Sequence, residues 1–220
     1  MLQYLENLFH ALDLSAMGDA VLRAAAVFLC LTVHETCHGL AAWALGDPTA
    51  KSMHRLSLNP LRHIDWLGLA MMFAVGFGWA KPVPVDPRYF RKPKQGMALT
   101  ALAGPLSNLL LAALAMLVCR LLYIWAPSGE AAYTLFMFLL YQLAPLSIGL
   151  GLFNLLPIPP LDGAKVVGAF LPDSVYFRLM RYERYGILAL LALSWMGITG
   201  SLISGAINRL YWLMAGLFFG

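Results

Sequence analysis

The sequence predicts an all-α protein that crosses a membrane several times. Of its 220 residues, 60% are hydrophobic and only 12% are charged, against roughly 45–50% and 25% in soluble domains. The mean hydropathy is +0.72, and the apolar residues are gathered in blocks of helix length. A soluble enzyme, a disordered chain and a secreted disulfide scaffold are therefore excluded.

The apolar residues fall into successive blocks along the chain, at 21–45, 66–80, 97–125, 131–156, 186–205 and 207–219. A helix needs about 20 apolar residues to cross a hydrocarbon core about 30 Å thick. Blocks 66–80 and 207–219 are too short. Block 66–80 is also rich in glycine and ends at Lys81-Pro82, so we expect it to re-enter the membrane rather than cross it. About four to six transmembrane segments are expected.

The distribution of cations predicts the orientation. Loops 81–95 and 157–185 carry five and four Lys or Arg residues, whereas the connector 120–130 carries one. Because cytoplasmic loops are enriched in Lys and Arg, the two basic loops are expected inside and the N-terminus outside. The net charge of +4 then reflects membrane orientation, and no nucleic-acid partner is expected.

A metal-ligand motif lies late in the first block. His34-Glu35-Thr36-Cys37-His38 is an H-E-x-x-H pattern. Residues four apart share a helix face, so His34 and His38 can bind one zinc ion. Glu35 stands about 100° round the helix, where it can act as a base without binding the metal. Ionisable residues are costly inside a membrane, which favours a functional role.

The third zinc ligand has several candidates. The longer pattern H-E-x-x-H-x-x-G-x-x-H takes its third ligand from a histidine, but this chain has Ala41 and Ala44 in place of its glycine and final histidine. A downstream glutamate is the other known third ligand, but Glu130 and Glu183 lie in polar connectors. The remaining candidates are His54, His63, Asp47, Asp65, Asp86, Asp162 and Asp173.

Asp162 differs from the others in its setting. It follows Pro157, Pro159 and Pro160, which cannot continue a helix, and precedes Gly163, which permits a close turn. In the predicted orientation, the span that contains His38 and the span that precedes Asp162 both run from outside to inside. We therefore expect the histidines and Asp162 at a similar depth.

The chain resembles the site-2 proteases, which are intramembrane zinc metalloproteases. H-E-x-x-H at 34–38 and N-x-x-P-x-P-x-L-D-G at 154–163 carry the likeness, and segments 55–65, 78–85 and 103–108 extend it over roughly residues 20–170. The match is to the compact bacterial branch without a PDZ domain. His54 departs from the pattern because relatives usually have glycine there.

The resemblance implies one zinc ion bound by His34, His38 and Asp162. It implies that Glu35 is the general base, and that Asn154 orients substrate or stabilises the developing oxyanion. It also implies short strands within 47–65, to which an extended substrate could add.

The resemblance further implies a single membrane metalloprotease domain over 1–220, with its catalytic core at about 20–170 and a C-terminal helical segment at about 171–220. Its substrates would be transmembrane proteins cut in the plasma membrane, toward the cytoplasmic side, in regulated intramembrane proteolysis. The alternatives are a membrane zinc carrier and an inactive protease-like scaffold. Glu35 distinguishes them, because a carrier has no need of a base beside the ligands.

Overall fold

The structure is a helical bundle built from the apolar blocks. The computed structural model describes residues 14–68, 81–125, 129–181, 186, 188, 190, 192, 193 and 196–220, and these contain no strand. The helices used below are α1 (Leu14–Ala44), α2 (Thr49–Ser52), α3 (Pro93–Trp125), α4 (Glu130–Asn154), α5 (Asp162–Gly168), α6 (Asp173–Arg181) and α7 (Ile198–Phe219). The prediction of an all-α membrane protein is confirmed.

Three of the described helices are long and apolar enough to cross a membrane. They are Gly18–Ala44 of α1, the whole of α3 and the whole of α4. Their outward faces carry large apolar side chains, and Leu110, Tyr123 and Trp125 on α3 are 65%, 74% and 79% exposed. Such a surface suits lipid rather than water.

Small residues form much of the buried core, which lies where α1, α3, α4 and α7 meet. The core residues are Ala26, Cys30, Ala112, Ala115, Met116, Leu143, Ala144, Ile148, Met214 and Ala215. Small side chains let membrane helices approach closely. A Cβ added at Gly151 of α4 would lie 3.0 Å from the carbonyl oxygen of Pro105 in α3. Helix α3 packs against α1, α4, α5 and α7, so it supports every part of the site described below.

A π-helical turn at Phe138–Leu143 interrupts the regular hydrogen bonding of α4. Such turns leave main-chain groups in need of other partners. The Tyr211 hydroxyl of α7 donates to the carbonyl oxygen of Leu140, 3.2 Å away. This bond ties α7 to α4.

The strands expected in residues 47–65 are not formed. These residues make α2, a 3-10 turn at Pro60–Arg62 and irregular backbone. Their polar side chains bond locally instead: the Asn59 side chain accepts from the Leu61 N–H, and the Asp47 side chain accepts from the Thr49 N–H. Asn, Asp and Pro favour such turns over strand pairing. Residues 66–68 are helical, and the rest of the block predicted to re-enter the membrane lies outside the described residues.

The boundary expected between blocks 186–205 and 207–219 is also wrong. Helix α7 runs without a break from Ile198 to Phe219, and the polar pair Asn208-Arg209 lies exposed within it. The chain turns earlier, at Gly197, whose φ of +72° is in the left-handed region that favours glycine. Much of block 186–205 lies outside the described residues.

His54, which follows α2, has an unusual backbone conformation. His54 is exposed and has a φ of +54°, a conformation that costs an L-residue roughly 1–2 kcal/mol. Glycine adopts it without that cost, which fits the glycine that the resemblance implies at this position.

We predict that His54→Gly raises the free energy of unfolding by about 1 kcal/mol, because it removes the left-handed strain. The measurement is reversible unfolding in mixed detergent micelles. His54→Ala is the matched control, since it retains a Cβ and should bring no such gain. Equal stability of the glycine and alanine variants would contradict the explanation.

Candidate metal centre

Two buried imidazoles of α1 face α3. His34 and His38 are 4% and 9% exposed, and their ring centroids lie 4.5 Å apart with the planes at 90°. Their spacing of four residues puts both rings on one helix face. The bundle thus places two potential ligand groups side by side in an apolar setting.

A main-chain carbonyl of α3 orients His38. Its Nδ1 lies 2.7 Å from the carbonyl oxygen of Thr100. A carbonyl oxygen can only accept, so Nδ1 carries the hydrogen in the neutral ring and Nε2 carries the lone pair. This is the tautomer that presents Nε2 to a metal ion.

Asn108 of α3 lies beside His34 Nδ1, just as the Thr100 carbonyl lies beside His38 Nδ1. Its side chain is fully buried, and its amide nitrogen lies 3.2 Å from His34 Nδ1. Within the described structure its Oδ1 has no hydrogen-bond partner. A half-turn of the amide exchanges oxygen and nitrogen, so that Nδ1–H donates to Oδ1 and Nε2 keeps its lone pair. Asn108 can therefore hold His34 in the metal-binding tautomer.

Asp162, the first residue of α5, brings a carboxylate to the same point. Its Oδ2 lies 3.2 Å from His34 Nε2 and 3.1 Å from His38 Nε2, and its Oδ1 lies 4.0 Å from Lys165 Nζ. Two imidazole nitrogens and one carboxylate oxygen thus meet at a single point.

Gly163 allows α5 to begin there. A Cβ at this position would lie 2.1 Å from the carbonyl oxygen of Leu155 and 2.5 Å from that of Leu156. No side chain fits in that space without moving the backbone. The glycine thus lets the start of α5 pack directly on the end of α4, which sets the depth of Asp162.

The donor set fits a zinc ion. Among the described residues, the potential ligand atoms of His34, His38 and Asp162 all lie within 4.8 Å of one another. Tetrahedral zinc ligands stand about 2.0–2.1 Å from the ion, hence roughly 3.3 Å from each other. The observed separations of 3.1 and 3.2 Å are close to that value. In addition, the His38 lone pair faces a carboxylate oxygen of Asp162 3.1 Å away, and two acceptors this close are stable only with a cation or a proton between them.

The other candidate ligands have structural partners instead. Asp47 accepts from the Asp86 N–H as well as from Thr49, the Asp65 side chain accepts from the Gly68 N–H, and His63 Nε2 bonds the carbonyl oxygen of Ser57. Asp86 pairs with Arg88, Asp173 pairs with Lys94, and His54 is exposed. Of the seven candidates from the sequence, the structure brings Asp162 to the two histidines.

Gly104 is a part of the site that sequence reasoning missed. A Cβ there would lie 2.4 Å from His38 Nε2 and 2.7 Å from His34 Cε1, so glycine leaves the space that the imidazoles occupy. The next residue, Pro105, is a proline inside an apolar helix, where proline is rare. That proline could have drawn attention to Gly104, but the sequence does not show that Gly104 contacts the imidazoles.

Glu35 lies beside the group rather than in it. The side chain is half-buried, and its Oε2 accepts a hydrogen bond of 2.8 Å from the Val83 N–H. Pro82 and Pro84 flank Val83 and have no N–H, which leaves Val83 as the main-chain donor at this point. One carboxylate oxygen is thus positioned, and within the described residues the other has no hydrogen-bond partner, so it can accept a proton.

Asn154 is the last residue of α4 and is half-buried. Its amide nitrogen donates to the carbonyl oxygen of Leu150, 3.0 Å away. An amide nitrogen has two hydrogens, so one donor remains for another acceptor.

Comparisons with known proteins identify relatives. A sequence model of peptidase family M50 matches residues 121–193. A Bacillus subtilis protein named "Putative zinc metalloprotease YwhC" is 38% identical over 163 residues, which are 74% of each chain. The protein named "Putative zinc metalloprotease Rip2" is 28% identical in Mycolicibacterium smegmatis, over 94% of this chain and 76% of the relative. Its namesake in Mycobacterium tuberculosis strain H37Rv is 30% identical, over 82% and 69%. No solved structure matches.

We predict that Gly104→Ala lowers zinc affinity at least tenfold, because the new methyl group displaces the imidazoles. The measurement is competition with a chromophoric zinc chelator in detergent. Gly205→Ala on α7 is the control, since a Cβ there meets nothing within 4 Å, and it should leave the affinity unchanged. Equal zinc affinity in both variants would show that the imidazoles at Gly104 do not bind the ion.

Proposed function

The chain belongs to peptidase family M50 and is a zinc metalloprotease, and on that premise we propose that it cuts membrane-embedded proteins within the bilayer, as a step of regulated intramembrane proteolysis. The observation that carries the proposal is the convergence of His34, His38 and Asp162 inside a bundle whose outer surface suits lipid. A peptide bond that reaches this group must itself lie at membrane depth.

The three converging side chains would hold the ion through His34 Nε2, His38 Nε2 and an oxygen of Asp162. When bound, zinc acts as a Lewis acid that polarises a carbonyl group and lowers the pKa of a water molecule into the neutral range. Thr100 and Asn108 fix the imidazole tautomers, and Lys165 stands near the second oxygen of Asp162. Such outer partners orient metal ligands.

Glu35 acts as the general base and then as the general acid. The Val83 N–H holds Oε2, so Oε1 accepts a proton from the attacking water and later delivers it to the leaving nitrogen. Asn154 offers its second amide hydrogen to the developing oxyanion at the end of α4.

The site is proposed to open toward the cytoplasm of the plasma membrane, with the N-terminus outside. The ligand histidines lie late in α1, next to the basic segments of the chain. These segments contact one another: the Arg55 guanidinium donates to the carbonyl oxygen of Lys81, and Lys94 pairs with Asp173. One end of the bundle therefore gathers the cations of these segments, which supports its assignment to the cytoplasmic face.

We predict that Glu35→Gln abolishes cleavage but retains zinc. Loss of a general base costs roughly 100- to 10,000-fold in rate, whereas the ligand group is untouched. The measurements are zinc content of the purified protein and mass spectrometry of membrane-protein fragments from cells. The control is Glu130→Gln, at an exposed carboxylate. An unchanged fragment pattern in the Glu35 variant would favour a carrier or a scaffold.

We predict opposite labelling of two engineered cysteines. In intact cells, a membrane-impermeant maleimide should label Glu130→Cys and not Lys92→Cys; after permeabilisation it should label both. Both positions are exposed in the structure. The parent chain, whose cysteines are buried or half-buried, serves as control. The reverse pattern would contradict the orientation.

A further inference from the structure

The peptide unit between Pro82 and Val83 lies between two opposite charges. Its N–H donates to Glu35 Oε2, 2.8 Å away, and its C=O accepts from Arg55 Nη2 at 3.2 Å. The same nitrogen of Arg55 donates to the carbonyl oxygen of Lys81 at 2.7 Å. A trans peptide unit is planar, so its N–H and C=O point in opposite directions. One peptide plane therefore connects the proposed general base to a guanidinium group.

Glu35 and Arg55 have this connection in place of an ion pair. Within the part of the chain that the structure describes, neither side chain takes part in a salt bridge. Both are half-buried, and partial burial reduces the screening of charges by water and salt. Hydrogen bonds in a chain polarise one another. A cation at the carbonyl oxygen therefore makes the N–H of the same peptide unit a stronger donor to the carboxylate.

The packing of Val83 fixes its place but not the rotation of this peptide plane. The valine is buried, and a Cβ added at Gly39 of α1 would lie 3.1 Å from Val83 Cγ1. Proline fixes its own φ, but the plane can still turn about ψ of Pro82 and φ of Val83. A half-turn would direct the carbonyl oxygen at the Glu35 carboxylate, where two acceptors repel each other. Arg55 opposes that turn because it holds the carbonyl oxygen on the side away from Glu35.

The loop that carries Arg55 is itself bonded to α1. The carbonyl oxygen of Ser57 accepts from the Thr36 hydroxyl of α1 at 2.9 Å and lies 2.8 Å from His63 Nε2. The Lys81 N–H in turn donates to the carbonyl oxygen of His63 at 2.9 Å. The guanidinium therefore reaches the peptide plane from a loop that is bonded both to α1 and to the segment it holds.

We propose that Arg55 is a positioning residue for the reaction. By holding the carbonyl oxygens of Lys81 and Pro82, it keeps the Val83 N–H on Glu35 Oε2 and so leaves Oε1 to take the proton. The proposal rests on the proposed role of Glu35 in intramembrane proteolysis. Arg55 acts through the peptide plane alone and takes no part in bond cleavage.

The first test follows exchange of the Val83 amide hydrogen in the zinc-loaded protein, by NMR of protein with isotope-labelled valine. Arg55→Gln and Glu35→Gln should each speed the exchange roughly three- to tenfold. The double substitution should speed it by less than the product of the two single factors, because the two bonds reinforce each other. The matched control is Arg62→Gln. Arg62 lies in the same loop and donates to the carbonyl oxygen of His54 at 2.6 Å, so the control breaks a bond of the same kind elsewhere.

A double variant that matches the product of the two single factors would show that Arg55 and Glu35 act independently, and would overturn the proposal. An acceleration of similar size by Arg62→Gln would do the same, because it would reflect a general loosening of the loop. Loss of zinc from the Arg55→Gln protein would show that Arg55 supports the metal ligands, which the proposal excludes.

The second test measures cleavage. Its substrate is the membrane protein whose fragment is lost most clearly from cells with Glu35→Gln, purified in detergent. Arg55→Gln should lower kcat roughly ten- to a hundredfold, the range of one charge-assisted hydrogen bond, with KM and zinc content unchanged. Arg55→Lys keeps a cation beside the carbonyl oxygens and should stay within about threefold of the parent. Arg62→Gln should retain the parent rate.

A higher KM with unchanged kcat would assign Arg55 to substrate binding and refute its action on the base. Equal losses in Arg55→Lys and Arg55→Gln would refute the role of the cation. If no membrane-protein fragment depends on Glu35, the protease proposal fails. The exchange test still decides in that case whether Arg55 acts on the Val83 N–H, since it needs no catalysis.

Discussion

The structure depends on one electrostatic constraint: three ionisable side chains point at one another inside an apolar helix bundle. A carboxylate oxygen that faces the lone pair of a fixed imidazole is stable only with a cation or a proton between them. The surrounding features serve this arrangement. Thr100 and Asn108 orient the rings, Gly104 leaves room for them, and Gly163 admits the start of α5. The proposed zinc ion supplies the missing charge.

Helix α3 links this chemistry to the membrane. One of its faces supports the imidazoles, while another carries Leu110 and Trp125 toward the lipid. The same helix packs against α1, α4 and α5, which hold the histidines, Asn154 and Asp162. Small shifts of α3 would therefore alter all parts of the proposed site together. Hydrolysis inside an apolar bundle depends on polar groups that are already in position before the reaction.

Much of this organisation could be predicted from the sequence, because hydropathy and helical spacing are local properties. These properties predict the long helices, the pairing of His34 with His38, and a similar depth for Asp162. The structure places the three side chains close together. The contacts of Gly104 could not be predicted, since they depend on how α3 is placed against α1. The turns within 47–65 and the continuity of α7 through Asn208-Arg209 also depend on hydrogen bonds and packing rather than on average hydropathy.

X-ray absorption spectroscopy of the zinc-loaded protein tests the central claim most directly. The account predicts two imidazole nitrogens and carboxylate oxygen at about 2.0–2.2 Å, with no sulfur. It also predicts that Asp162→Ala weakens zinc binding and alters the spectrum. A sulfur ligand at about 2.3 Å, such as Cys37 would supply, or a spectrum and an affinity unchanged by Asp162→Ala, would contradict it.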